Sequence, residues 1–325
     1  MKKALTVLLV IAIAMTSIFA EGAKEAKPYP SKPVTAIVGW SAGGGADIVF
    51  RALAEVFPKY ADGQTMVIKN QPDAAGVPAI TEFMKAPADG YQILHWNVAH
   101  LIKTHMTKVA FKATEFVPVC QVVASFNYLV TTKDAKWNSI EDLVNDAKAH
   151  PETIRMGNAG AGGGNHLSAL LFAQKTGTKF VDVPFSGGGP AITGLMAGDC
   201  DVVMANAPEG IANVQSGELK VLAVFSQNRL EAIPDAKTGL EQGVDLVLEQ
   251  WRGVVVPQGT PQEIVDKLEA ILKQCVEDPQ YVKKMKDLGS VAVFKTGEEY
   301  GKMVAADDAR YEKIIKEGGF GDRYK

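Results

Sequence analysis

Three stretches of this chain share one design: a short apolar run, a glycine-rich turn, and a helix-forming segment. They are Gly39-Trp40-Ser41-Ala42-Gly43-Gly44-Gly45-Ala46-Asp47, Gly157-Asn158-Ala159-Gly160-Ala161-Gly162-Gly163-Gly164-Asn165-His166 and Pro184-Phe185-Ser186-Gly187-Gly188-Gly189-Pro190. A strand that turns directly into a helix commits its surroundings to an α/β layer arrangement. Each turn also presents bare backbone N–H groups at a helix start, where the first amides lack intrahelical partners and the macrodipole places partial positive charge. Such ends attract anions. Taken singly, each turn reads as a tight connection without a ligand. In open α/β sheets, however, ligands gather beyond the carboxyl ends of the strands, where all three turns should meet. With almost no Arg or Lys in the turns, backbone dipoles would have to hold the anion, which suits a small carboxylate better than a polyphosphate.

The rest of the chain fits that frame. From Val34 onward, β-branched or apolar runs alternate with amphipathic helices, the pattern of a largely parallel sheet covered on both faces. Strands are expected at 34–38, 66–69, 92–95, 116–124, 128–131, 154–157, 180–183, 201–205, 219–225 and 253–256. Helix starts are signalled at Ser139-Ile140-Glu141-Asp142, Thr260-Pro261-Gln262-Glu263 and Thr296-Gly297-Glu298-Glu299, each with a capping hydroxyl and a nearby acid. After about Gly259 the chain reads as nearly all helical, with Ile264, Leu268, Ile271 and Leu272 marking a core-facing stripe.

Lys2 and Lys3 precede an apolar run from Ala4 to Ala14, followed by Ser17 and Ala20. This is the pattern of a secretory signal peptide over residues 1–20, cut near Ala20, with 21–27 a flexible segment. The apolar run is shorter than the roughly 18–20 residues that span a bilayer. About 300 remaining residues are enough for two domains of ordinary size. The formal charge of −3, made more negative by loss of Lys2 and Lys3, and the lack of any basic run exclude a nucleic-acid partner. Cys120, Cys200 and Cys275 have no framework spacing and are expected to be buried free thiols. No Cys or His pair has metal-ligand spacing, and neither a metal nor a cofactor is expected.

Several chemistries fail on the same residues. A phosphate-binding P-loop needs Gly-Lys-Ser or Gly-Lys-Thr at its close, which none of the turns has. Dinucleotide binding needs a third glycine where Asn165 stands. The rival reading is an exported serine hydrolase, because Gly39-Trp40-Ser41-Ala42-Gly43 satisfies G-x-S-x-G between a strand and a helix. Against it, the motif falls on the first strand, with no upstream loop to form an oxyanion hole, and no histidine lies in a convincing late strand-end loop. His166, at a helix start, is expected to be neutral. Asp47 reads first as a helix cap. Trp40 and Trp96 each abut a strand end, where they could wall a pocket or fill the core.

The motifs together resemble the receptors of the tripartite tricarboxylate transporter family, often called Bug receptors. The resemblance runs from Tyr29-Pro30-Ser31-Lys32-Pro33-Val34 through the triple glycine and Asp47, Asn70-Gln71-Pro72, Ala88-Asp89-Gly90-Tyr91, Gly164-Asn165-His166-Leu167 and Val183-Pro184-Phe185. It continues through Gly189-Pro190-Ala191, the 219–224 strand and Trp251-Arg252-Gly253 to Pro257-Gln258-Gly259-Thr260-Pro261. It implies a type II, Venus-flytrap-like periplasmic binding protein, with a mixed, mostly parallel sheet in each of two lobes. Lobe 1 would comprise residues 28–124 and 227–325, and lobe 2 residues 125–226. The implied function is to bind a small organic acid and deliver it, unaltered, to integral-membrane permease subunits, as a monomer. Ligand contacts are expected from Ser41, Ala42, Gly43, Gly44, Gly45, Ala46 and Asp47 on one side. From the other would come Ala159, Asn165, His166, Gly187, Gly188, Gly189 and Asn206, with Trp96 and Asn97 in a ligand-variable loop. The chain departs from the family pattern at Trp40-Ser41-Ala42, at Ala46 and at Ala205, changes that bear on the ligand rather than on the fold.

Overall fold

The run Val34–Val38 is β-branched and almost wholly buried, as a strand flanked on both sides in a sheet requires. In a computed structural model that describes residues 29–72 and 76–322, this strand (β1) pairs in parallel with β2 (Met66–Asn70) and β3 (Gln92–Asn97). From Lys32 onward the chain forms one unit. The expected leader and the segment after it lie outside the described residues.

β3 is antiparallel to β9 (Glu249–Val256), and β9 to the first part of β4, a 16-residue strand from Val117 to Thr132. The second part of β4 is antiparallel to β7 (Val202–Asn206) and β8 (Leu219–Val224). Beyond β7 lie β5 (Arg155–Asn158) and β6 (Val181–Pro184), again parallel. The strand order is β2-β1-β3-β9-β4-β7-β5-β6. The two lobes therefore hang on the two halves of one strand, with the change of partners between Phe126, opposite Glu249, and Asn127, opposite Asn206.

Three expectations are corrected here. The sheet is mixed, but it is parallel only towards its outer edges, because returning strands β4 and β9 run antiparallel to their neighbours at the centre. The C-terminal part is also not all helical: β10 (Val291–Thr296) pairs antiparallel with Cys120–Ala124. The expected break between 124 and 128 is absent as well. Ser125 and Asn127 look like loop residues, yet both are buried within β4 because their side chains bond into a polar network below the cleft.

The glycine turns lead into helices as expected: α1 (Gly45–Val56), α5 (Gly164–Thr176) and α6 (Gly188–Ala197). Between and after them come α2 (Val77–Phe83), α3 (Val98–Met106), α4 (Ile140–Ala149), α7 (Ile211–Gln215), α8 (Gln262–Glu277), α9 (Pro279–Asp287) and α10 (Gly297–Gly318). Ser139 caps α4 and Thr296 closes a reciprocal capping box with Glu299 on α10. The third start differs: Thr260 donates its hydroxyl to Pro257 O, and α8 begins at Gln262, after Pro261, without a side-chain cap. One apolar cluster gathers Leu94, Trp96, Leu101, Trp251 and Tyr300. Two others pack on the opposite faces of the β7–β8 half of the sheet, and they include Leu230, Ile233, Val244 and Leu248. All three cysteines are buried and unpaired.

Candidate functional site

At their N-caps, Gly44, Gly163 and Gly187, none of the three turn-borne helices receives a side-chain hydrogen bond. Their first-turn amides therefore look outward for acceptors. The turns of α1 and α6, one from each lobe, touch directly: Ser41 Oγ donates to Ser186 O at 3.0 Å. Lys103 of α3 reaches across in the same way, donating to Ala161 O at 3.2 Å.

Between the turns lies a cleft with an outer chamber of about 490 Å³, lined by Trp40, Ser41, Lys103, Ala159, Phe185 and Ser186 among others. Trp40, Ala159 and Gly160 also border an inner chamber of about 30 Å³, whose walls include Gly45, Ala46, Asn97, Asn165, Glu209, Gln250 and Arg252. The inner space suits a single water-sized group.

Glu209 is the group around which the helix starts converge. It lies just past the carboxyl end of β7, 6% exposed. Its Oε1 accepts from Gly45 N at 3.4 Å, and its Oε2 from Asn206 N at 3.0 Å and Asn165 Nδ2 at 3.2 Å. A Cβ on Gly188 would fall 1.8 Å from its Cδ. One carboxylate thus meets the first turns of α1, α5 and α6. Its backbone is pinned too, since Glu209 N donates to Asn206 O at 2.8 Å and the Tyr128 hydroxyl donates to Glu209 O. Burial pushes its carboxyl above the ordinary range, against the opposing pull of the Asn206 amide and the Arg252 charge.

Beneath Glu209 a polar network crosses the junction of the lobes. Arg252 of β9 donates to Ser125 Oγ and to Asn206 Oδ1, Gln250 donates to Asn127 Oδ1, and Asn127 to Asn165 Oδ1. Arg252 Nε and Asn206 Nδ2 are buried without a protein partner.

The expected residues divide clearly. Ser41, Ala46, Asn97, Ala159 and Asn165 line the cleft, and Gly45 and Gly188 pack on the Glu209 carboxylate. Ala42 and Gly43 are exposed at the rim, Gly44 and Gly187 are the N-caps in the turns, and Gly189 lies in the first turn of α6. Asp47 is turned inward. It accepts from Gly43 N, Arg51 and Asn70, and these bonds hold its pKa low although burial works the other way. Its place is the loop-bracing cap. His166 accepts from Gly162 N through Nδ1, and burial lowers its pKa against the pull of Asp182. Two side chains are corrected. Trp96 is 1% exposed, inside β3 rather than on a loop, and is stacked on His100 in the core. The Asn206 side chain lies under the cleft, bonded to Ser125 and Arg252. Trp40 does wall both chambers, resting on His95 and His100. Neither ring nitrogen of the fully buried His95 has a partner. Burial pushes the pKa of His95 well down, and that of His100 to about 3.

Sequence reasoning missed Glu209, Gln250, Asn127 and Ser125 as site residues, and met Arg252 only inside a family motif. A signal existed for Glu209: a lone acid in the apolar stretch just after a strand.

A cleft between two α/β lobes, floored by strand ends and walled by helix starts, defines the class of two-lobed solute-binding proteins. The chain belongs to the tripartite tricarboxylate transporter receptor family (TctC), whose model matches residues 49–320. A UPF0065 protein from the TAR-I ttuE-ttuC' intergenic region of Agrobacterium vitis is 31% identical over 95% of this chain and 91% of its own length. Among solved structures, the periplasmic binding protein BugD is 28% identical, with a TM-score of 0.86 over 90% of this chain and 99% of that one. R. palustris Rpa4515, solved with adipate, is 28% identical, with a TM-score of 0.85 over 90% and 99%.

Proposed function

We propose that this chain is a periplasmic solute receptor that binds a small carboxylate and passes it, chemically unchanged, to the permease subunits of a tripartite tricarboxylate-type transporter. The observation that carries this reading is the convergence of three helix starts whose glycine N-caps supply no side-chain cap, drawn from both lobes, on one cleft. Such ends favour negative charge by roughly 0.3–1 kcal/mol each, and more when partly buried. Family membership supports delivery to a transporter. The adipate in Rpa4515 supports a carboxylate ligand.

The lobes would close about two crossings. We place one at 126/127, two residues past the expected 124/125, and the other near Leu248 rather than at 226/227, because residues 230–248 pack with the second lobe's clusters. The receptor is taken to act as a monomer after loss of its leader at Ala20, a cut that intact mass of periplasmic protein would reveal.

The test is calorimetry of ligand-stripped protein against mono-, di- and tricarboxylates, with mass spectrometry of the recovered ligand. Binding with quantitative recovery is expected, and failure of every carboxylate to bind would end the proposal. For the hydrolase reading, Ser41 would need an activating base, yet its hydroxyl donates to a carbonyl. A fluorophosphonate probe is expected to leave Ser41 unlabelled; stoichiometric labelling there would favour hydrolysis.

A further inference from the structure

The helix starts that would receive a ligand's carboxylate already face one, because Glu209 touches all three. Within the closed cleft this side chain has nowhere else to go. Its backbone is fixed at both the amide and the carbonyl, and its Cδ is wedged against Gly188. The carboxylate nevertheless keeps acceptor capacity towards the inner chamber, since Oε1 holds a single hydrogen bond, at a long 3.4 Å. A second carboxylate placed beside it would meet like charge at short range in a poorly solvated space. The complementary group is a donor. At the other end of the cleft the charge is reversed: half-buried Lys103 lines the outer chamber, and its Nζ gives one hydrogen bond, to Ala161 O, out of three available.

We propose that the solute is an amino acid in the broad sense, its amino group directed inward to Glu209 and its carboxylate outward to Lys103 and the nearby turns. This rests on the carboxylate-receptor reading and narrows it: Glu209 is the residue that rejects a plain dicarboxylate. The inner chamber of about 30 Å³ has room for an ammonium but not for a longer head group. Arg252 does not reverse the preference. Its guanidinium also borders the inner chamber, but its Nη1 and Nη2 are engaged by Ser125 and Asn206, whereas the Glu209 carboxylate keeps acceptor capacity there.

The test is calorimetry on ligand-stripped, full-length mature protein with three pairs of probes that differ only in replacing one carboxylate by an ammonium. The pairs are succinate and β-alanine, glutarate and 4-aminobutyrate, and adipate and 5-aminopentanoate. The wild-type protein should bind the amino member of at least one pair ten-fold or more tightly than its diacid. Glu209→Gln should lower that affinity by at least ten-fold and narrow or reverse the preference, while Glu209→Asp should keep its direction. If the wild type prefers the diacids, or if Glu209→Gln tightens diacid binding while leaving the amino acids unchanged, Glu209 is a displaceable surrogate for the ligand and the inference is wrong. An unchanged ratio in a folded Glu209→Gln protein also overturns it. Should that variant not fold, the wild-type preference across the pairs decides alone. Absence of binding to either member of every pair, and to every other carboxylate, would instead bring down the receptor reading itself.

Discussion

Gly188 shows how much a single missing side chain can carry. It lies inside the first turn of α6, where any residue could adopt the backbone, yet a Cβ would meet the Glu209 carboxylate. Gly188→Ala is therefore expected to be harmful by overpacking, at about 1–3 kcal/mol, rather than by backbone strain. Adding Glu209→Ala should recover a large part of that loss. Urea unfolding of the two single variants and the double would give the coupling, and two simply additive effects would refute the contact. Some glycines of this site, such as Gly43 and Gly187, were legible in the sequence because the chain turns demand them, whatever the partner. Glu209 stood out only as a lone acid after a strand, since nothing local to Pro208-Glu209-Gly210 reveals that Gly45, Asn165 and Asn206 will gather around it. Trp96 misled for a related reason: a strand end looks alike in sequence whether its last side chains face a cleft or the core.

Secondary-structure elements were read well where the rule is local. Thr296 and Glu299 lie three residues apart and bond only each other and their backbones, so the start of α10 could be written down in advance. Thr296→Ala should cost about 1 kcal/mol in chemical denaturation. A loss indistinguishable from zero would mean that α10 is held by packing alone. Thr260 offers the same hydroxyl before a proline, but its bond to Pro257 O serves the preceding turn, and Thr260→Ala should leave the α8 start unaffected. Long-range pairing was the harder part. β10 is a six-residue run, apolar up to Phe294 and polar after it, and it becomes a strand because Cys120–Ala124 offers it an edge. The buried polar residues of β4 mimic a loop until their partners on β7 and β9 are known.

At the scale of the whole molecule, the histidines behind the cleft link stability to acidity. His95 is buried among Trp40, Phe50 and His100, with its charged form disfavoured by burial and then by the neighbouring His100 and Arg252. Its folded pKa lies below the ordinary 6.5, so the folded state refuses a proton that the unfolded chain accepts. The associated stability is complete above about pH 6.5 and is lost as the pH falls. Each such group contributes a slope of about 1.4 kcal/mol per pH unit. His95→Phe keeps the ring in its aromatic setting and removes the titration. The variant should match or exceed the wild type at pH 7, and the difference in its favour should grow by about that slope between pH 6 and pH 5, as read by urea unfolding. Parallel curves would show that His95 acquires its proton in the folded state.

β4 runs without interruption from one lobe into the other, and its two halves take different partners. The gene cannot therefore be cut between the lobes as a modular protein's can. A fragment ending at Phe126 would carry off the half of β4 on which β9 and β10 pair, while β9 and β10 themselves stayed with β7 and β8 on the other fragment. Each product would carry raw sheet edges and be prone to pair with copies of itself. Any biosensor or split reporter built on this receptor should accordingly be opened at an exposed loop far from that strand.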